Sequence, residues 1–140
     1  MRVVLDASVA IKWVIRDPAT EPDLDKALAL LRAIRAHKIE LVEPPHWTTE
    51  ILAVIARMRP RRVAFVLGML GALPFSVTSG LSNHLRAADM AIGLNHHLFD
   101  TLYHAVALEE GATLVTADEV YLAKARGLGG LVSLADFSAP

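Results

Sequence analysis

Short aliphatic and β-branched runs recur along this chain, and helical patterns separate them. Arg2–Leu5, Glu40–Val42, Phe75–Val77, Ala112–Val115 and Leu131-Val132 read as strands. Short apolar runs of this kind suit strands buried in a sheet. The intervening patterns predict helices from about Ser8 to Ile15, over Asp23–His37, from Pro44-Pro45 to about Met58, and over Arg61–Leu70, Ser82–Asn95, Asp100–Glu109 and Glu119–Arg126. The second is the strongest, with Leu24, Ala27, Leu28, Leu31 and Ile34 at helical spacing. Arg16-Asp17-Pro18 ends the first, Pro60 separates the third from the fourth, and Gly111 stops the sixth. Strands alternating with helices require a parallel sheet covered on both faces. The expected fold is therefore α/β.

At 140 residues the chain is one domain, residues 1–140, without repeat, linker or low-complexity tract. Hydrophobic residues make up 54% and mean hydropathy is +0.40, which favours a filled core over disorder. The net charge is −1, so no global field draws the chain onto nucleic acid, and such a partner needs a local patch. With no cysteine there is neither disulfide nor thiolate metal site, which fits a reducing cytoplasm. Asp6 and Lys12 break the N-terminal apolar run, so no signal peptide is read. Val63–Leu85 is free of charge, but its apolar part, Val63–Val77, is too short to span a bilayer and carries Pro74. It reads as a buried helix and a following strand, and no membrane association is expected.

Four acids lie beside the apolar segments, where a carboxylate is expensive. Asp6 follows Val3-Val4-Leu5, Asp118 follows Thr113–Thr116, Asp100 follows Leu98-Phe99, and Glu50 opens Ile51–Ile55. In a parallel sheet, ligands bind beyond the carboxyl ends of the strands. Asp6 and Asp118 lie there, and Asp100 reaches the same rim from a helix start. Clustered carboxylates repel and raise one another's pKa, and a divalent cation relieves this. Mg2+ and Mn2+ prefer oxygen ligands, bind phosphate oxygens and acidify water, which makes a phosphodiester the natural substrate. Each acid also has a local role open to it. Asp6, Asp100 and Asp118 suit helix N-caps, and Glu50 suits a solvated helix position. The residues alone leave both readings open.

Other residues compete for attention. His97, Asp100 and His104 have the spacing of a zinc face if one helix carries all three. Leu98-Phe99 reads as the lead-in to a helix starting near Asp100, so His97 falls outside it, and His104 reads as a packing or surface histidine. Arg57, Arg59, Arg61 and Arg62 form the densest basic patch, suited to phosphate or simply to a solvated helix end. Lys12 and Arg16 compete with them for that role. Trp13 and Trp47 read as core or interface residues rather than base-stacking platforms. No glycine pattern matches a P-loop or dinucleotide fingerprint.

The motifs become specific in combination. Val3–Trp13, Val-Val-Leu-Asp-Ala-Ser-Val-Ala-Ile-Lys-Trp, resembles the N-terminal motif of PIN-domain proteins. Phe99–Leu108 resembles the motif of the third family acid. Leu114–Ala123, with Thr116 and Asp118, resembles that of the fourth, and Pro44–Glu50 with its following helix the region of the second. Order and spacing agree over essentially the whole chain, and the motif style is that of VapC-like toxins of bacterial toxin–antitoxin pairs.

The resemblance implies a three-layer α/β/α fold around a parallel sheet and a Mg2+- or Mn2+-dependent endoribonuclease. Asp6, Glu50, Asp100 and Asp118 become its catalytic and metal-binding acids. Asp6 and Asp100 are then the foremost direct ligands, and Ser8 and Thr116 are supporting polar residues. It further implies an RNA substrate, a cognate antitoxin protein and a homodimer. Lys12, Arg57, Arg59, Arg61 and Arg62 are the candidate RNA contacts. One departure stands out: many relatives carry Asn three residues after the second acid, where this chain has Ala53. Two rivals are a PIN scaffold that only binds RNA or protein, which the intact acids disfavour, and a small-molecule phosphohydrolase using Asp6 as nucleophile. The latter resembles haloacid-dehalogenase phosphatases, which need a second Asp where Ser8 stands.

Overall fold

Val3, Val4 and Leu5 have no exposed surface because the strand that holds them is the middle of the sheet. The computed structural model describes residues 1–78 and 80–140. Its five parallel strands are β1 (Arg2–Leu5), β2 (Glu40–Glu43), β3 (Phe75–Val77), β4 (Thr113–Thr116) and β5 (Leu131–Ser133), in the order β3-β2-β1-β4-β5. The chain builds outward from β1 to β3 and then crosses back to β4. The order therefore reverses between β1 and β4, which is where open α/β sheets bind ligands. The register aligns Leu5 with Val115, and the Asp6 N–H extends the ladder by donating to the Val115 carbonyl at 3.1 Å. Asp6 and Thr116 thus emerge side by side at the carboxyl ends of adjacent strands.

The helices are α1 (Ala7–Ile11), α2 (Leu24–Arg35), α3 (Trp47–Met58), α4 (Val63–Gly71), α5 (Leu81–Leu94), α6 (Leu98–Glu109) and α7 (Glu119–Ala125), with 3₁₀ turns at Pro60–Arg62 and Arg126–Leu128. They flank the sheet, giving the expected three-layer α/β/α arrangement. α1 packs on α3, and α6 pairs with α5 while lying over β1, β2 and β4. On α2, Ala27, Leu31 and Ile34 are buried at the predicted spacing, while Leu24 and Leu28 are half-buried. Among the described residues no helix is long and apolar enough to cross a membrane.

Several boundaries differ from the expectation, for local reasons. α1 ends at Ile11, and the chain tightens into bonds such as Trp13 N–H to Ala10 and Val14 N–H to Ile11 instead of reaching Ile15 as helix. The two prolines make a turn, so α3 starts at Trp47. α6 starts at Leu98 because extended His97 flanks it, which puts Asp100 inside the first turn rather than at the cap. α4 is less buried than its composition suggests, since Phe65 and Leu67 are at least half exposed. Both tryptophans are core. The Trp13 indole N–H donates to Ala27 at 2.8 Å, and its ring meets Trp47 edge-on at 6.4 Å. Trp47 in turn meets Phe75 at 5.2 Å. Edge-on aromatic pairs contribute about 0.5–1.5 kcal/mol beyond burial, and these tie the turn after α1 to α3 and β3.

Candidate active site

Asp6 is the last polar group before the core, and the strand register decides its partners. Its Oδ2 accepts from the Thr116 hydroxyl at 2.6 Å, and its Oδ1 accepts from the Ser8 N–H at 3.0 Å. Asp6 therefore caps α1 as well as closing β1. Burial pushes its carboxyl from 3.8 up to about 6. The bonds from Thr116 and Ser8 oppose this, and the charges of Asp100 and Glu50 add to it. Asp6, Glu50 and Asp100 therefore lie close enough for the charges of the latter two to act on Asp6.

Thr116 and Ser8 act as hubs. Thr116 Oγ1 donates to Asp6 and accepts the Asp118 N–H at 3.0 Å. Ser8 does not supply the α1 cap: its Oγ accepts the Ala117 N–H at 3.2 Å, stitching α1 to the end of β4. Asp118 caps α7, its Oδ1 accepting from Val120 at 2.9 Å and Tyr121 at 3.0 Å. The other carboxylate oxygen takes no part in that cap. For Asp6 and Asp118 the local role and the shared site coexist.

Glu50 and Asp100 are held from α6 and its approach. The Tyr103 hydroxyl donates to Glu50 Oε2 at 2.5 Å. Burial and this bond push the phenol far above its ordinary range, so it remains a donor. His46 Nε2 lies 3.7 Å from the same oxygen and 2.9 Å from the Phe99 carbonyl, and burial lowers its pKa. Asp100 Oδ2 lies 2.7 Å from His96 Nε2. Donor atoms of His96, Asp100 and Asp118 all fall within 4.8 Å of one another.

Two residues of this region escaped the sequence reading. Glu43 has no exposed surface, and its Oε1 accepts the Leu5 N–H at 2.8 Å. Its Oε2 has no partner among the described residues. Complete burial drives its carboxyl well above the ordinary range, and it feels the charge of Asp6. The available signal was an acid directly after the apolar pair Leu41-Val42, but the strand was read as ending at Val42. His96 is the other. Its neighbour His97 lies outside the helix, as the lead-in Leu98-Phe99 suggested, although α6 itself begins at Leu98. The zinc face of His97, Asp100 and His104 does not form, because both His104 nitrogens are spent. Nδ1 lies 2.9 Å from the Tyr121 hydroxyl and Nε2 lies 2.7 Å from the Gly129 carbonyl. The carbonyl can only accept, so Nε2 carries the proton and Nδ1 accepts from Tyr121.

The basic residues separate into two groups. Lys12, a candidate RNA contact, is instead buried, with its ammonium 2.9 Å from Glu21. Arg57, Arg59, Arg61 and Arg62 are exposed around the α3–α4 junction. Arg57 lies two turns beyond Glu50 on α3, about 10 Å along its axis. The Arg62 guanidinium sits 4.6 Å over the Phe65 ring. A cleft of about 730 Å³ lies between α2, α4 and the segment that follows α1, and includes Arg16, Arg35 and Arg62 but none of the four acids.

The PIN domain family pattern matches residues 3–128, nearly the whole chain. The chain belongs to the PIN domain family. No curated protein shows a significant sequence match. Among solved structures, the chain is similar to one described as a toxin-antitoxin complex from Klebsiella pneumoniae, with a TM-score of 0.70 at 13% identity, covering 94% of this chain and 97% of that one. It is also similar to VapBC2 from Rickettsia felis bound to a DNA fragment from their promoter, with a TM-score of 0.65 at 14% identity, covering 95% and 97%. PAE2754 from Pyrobaculum aerophilum gives 0.59 at 21% identity, covering 96% and 90%. At these identities the likeness is one of fold. Of the four acids, Asp100 and Asp118 fall together with His96, while Asp6 and Glu50 lie outside that group and reach it through their charges.

The donor set fits a hard divalent cation: carboxylates on adjoining elements, one of them with its pKa raised in part by its neighbours.

Proposed function

We propose that this PIN domain is a Mg2+- or Mn2+-dependent endoribonuclease, the toxin of a toxin–antitoxin pair. The observation that carries the reading is Asp6, which sits at the sheet's switch point with its carboxyl raised chiefly by burial and further by the charges of Asp100 and Glu50. A lone structural aspartate would not gather two further acids around itself. When bound, a divalent cation supplies positive charge to the scissile phosphate and acidifies water. Asp6, Glu50, Asp100 and Asp118 are the residues to hold it.

The chain's own groups set the geometry. Thr116 and Ser8 fix both oxygens of Asp6, and Tyr103 fixes Glu50 from the opposite layer. Asp118 uses one oxygen for the α7 cap, which leaves the other for the cation. Arg57, Arg59 and Arg61 give phosphates a local attraction that the net charge of −1 does not. Ala53, exposed one helical turn from Glu50, leaves the four acids in place, so its effect belongs to substrate positioning.

The toxin–antitoxin reading draws on the neighbouring structures' descriptions as such complexes. A cognate antitoxin fits the groove near the acids, where a basic side chain would neutralise them. A homodimer is favoured by Leu81, Leu85 and Ile92 of α5, all more than two-thirds exposed. A cytoplasmic location follows from the same reading.

The test is digestion of total RNA by purified, antitoxin-free protein with Mn2+, Mg2+ or EDTA, beside Asp6→Asn. We expect metal-dependent cleavage in wild type and a loss of at least a hundredfold in the variant. Equal cleavage by Asp6→Asn, or cleavage undiminished by EDTA, would remove the reading.

A further inference from the structure

α5 ends in a way that aims one histidine at the acids. Asn95 adopts the left-handed conformation, with φ 49° and ψ 56°. Its N–H donates to Ile92 at 3.3 Å, and the next N–H, that of His96, donates to Ala91 at 3.0 Å. This pair of bonds is the Schellman closure of a helix, in which the residue after the left-handed one is pinned back onto the last turn. Lys124 of α7 donates to the Asn95 carbonyl at 2.8 Å and holds the turn from outside. The His96 ring then packs on Tyr121, with ring centroids 4.9 Å apart, and its side chain is only 7% exposed.

Fixed in this way, Nε2 sits 2.7 Å from Asp100 Oδ2. Ligands in one coordination sphere stand about this far apart when each is about 2.1 Å from the ion. Asp118 completes the group, with all three donor atoms within 4.8 Å. The cluster is mixed, one imidazole with two carboxylates. Imidazole suits transition ions, whereas Mg2+ favours oxygen and keeps much of its water.

We infer that His96 is a direct nitrogen ligand beside Asp100 and Asp118, making this PIN site prefer Mn2+ to Mg2+. The inference rests on the proposed reading of the acids as a cation site and adds a ligand that is not a carboxylate.

The test uses the full chain stripped of metal, titrated with Mn2+ and followed by electron paramagnetic resonance. Mg2+ competition gives the preference. Wild type should show nitrogen-14 coupling to the bound Mn2+. His96→Gln should lose that coupling and lower the Mn2+-over-Mg2+ preference about tenfold. His46→Gln removes the other imidazole near Glu50 and should keep the coupling, which decides the matter should His96→Gln fail to fold. Mn2+ bound without nitrogen coupling, coupling lost in His46→Gln, or no Mn2+ binding at all would overturn the inference. RNA cleavage is scored separately. Cleavage with Mn2+ held by oxygen alone overturns the ligand and leaves the nuclease, while nitrogen-coupled Mn2+ without cleavage of any RNA does the reverse.

Discussion

At the residue scale, Asp6 shows how a site sets itself against stability. Its folded carboxyl is raised from 3.8 to about 6 because the ionised form is buried. Between these values the folded protein holds a proton that the unfolded chain has released. Stability from this residue is therefore full below about pH 4, falls as pH rises through the window, and stays low above it. The shift corresponds to about 3 kcal/mol. Asp6→Asn lacks the charge, so its melting temperature in EDTA should gain on wild type between pH 4.5 and pH 7.5. Saturating Mn2+ should shrink that gap at the upper pH, by stabilising only the protein that binds it. A difference between the two proteins that does not change with pH would show that Asp6 carries no such cost. Glu43 is the companion case: complete burial, with one oxygen unpartnered among the described residues, raises its carboxyl well above the ordinary range.

At the element scale, what was legible in the sequence depended on burial. β1, β2 and β4 were readable because strands buried in the middle of a sheet are apolar runs, whereas the edge strands β3 and β5 are only partly covered and show as short apolar pairs beside turns. Asp6 and Asp118 were readable for the same reason, since an acid ending such a run stands out. Helix starts were less legible, because one flanking residue's backbone decides them. Extended His97 drew α6 back to Leu98 and moved Asp100 off the cap. The same holds for His96, one of two adjacent histidines that sequence alone does not tell apart. Asn95 selects between them by turning left-handed. A left-handed residue with a Cβ costs roughly 1 kcal/mol, which asparagine tolerates better than alanine and glycine does not suffer. Asn95→Ala should lower the melting temperature by a few degrees and weaken Mn2+ binding as His96 loses its anchor. Asn95→Gly should match wild type in both. Thermal melts with and without Mn2+ separate the two variants, and equal behaviour would mean that the turn does not position His96.

At the scale of the whole molecule, the proposed activity poses the problem of bringing a polyanion to a cluster of carboxylates on a protein whose net charge is −1. Long-range attraction is absent, so affinity for RNA must come from a few neutralised phosphates near the site. Lys12 does not serve, being buried against Glu21. Arg62 lies over Phe65, and Arg59 bonds its neighbour's carbonyl. Arg57 and Arg61 are the exposed cations of the cluster without a partner among the described residues, and Arg57 shares α3 with Glu50. Each phosphate contact to a single strand displaces condensed counterions and adds about −0.7 to the slope of log affinity against log salt. Arg57→Gln with Arg61→Gln should therefore weaken RNA binding and flatten that slope by about 1.4, while Mn2+ affinity stays at the wild-type level. The measurement is RNA binding by an Asp100→Asn background, which does not consume its substrate, across a salt series. An unchanged slope would place the RNA path elsewhere. The Arg16–Arg35 edge of the cleft beside α2 and α4 would then be the next surface to neutralise, because it gathers cations and holds none of the four acids.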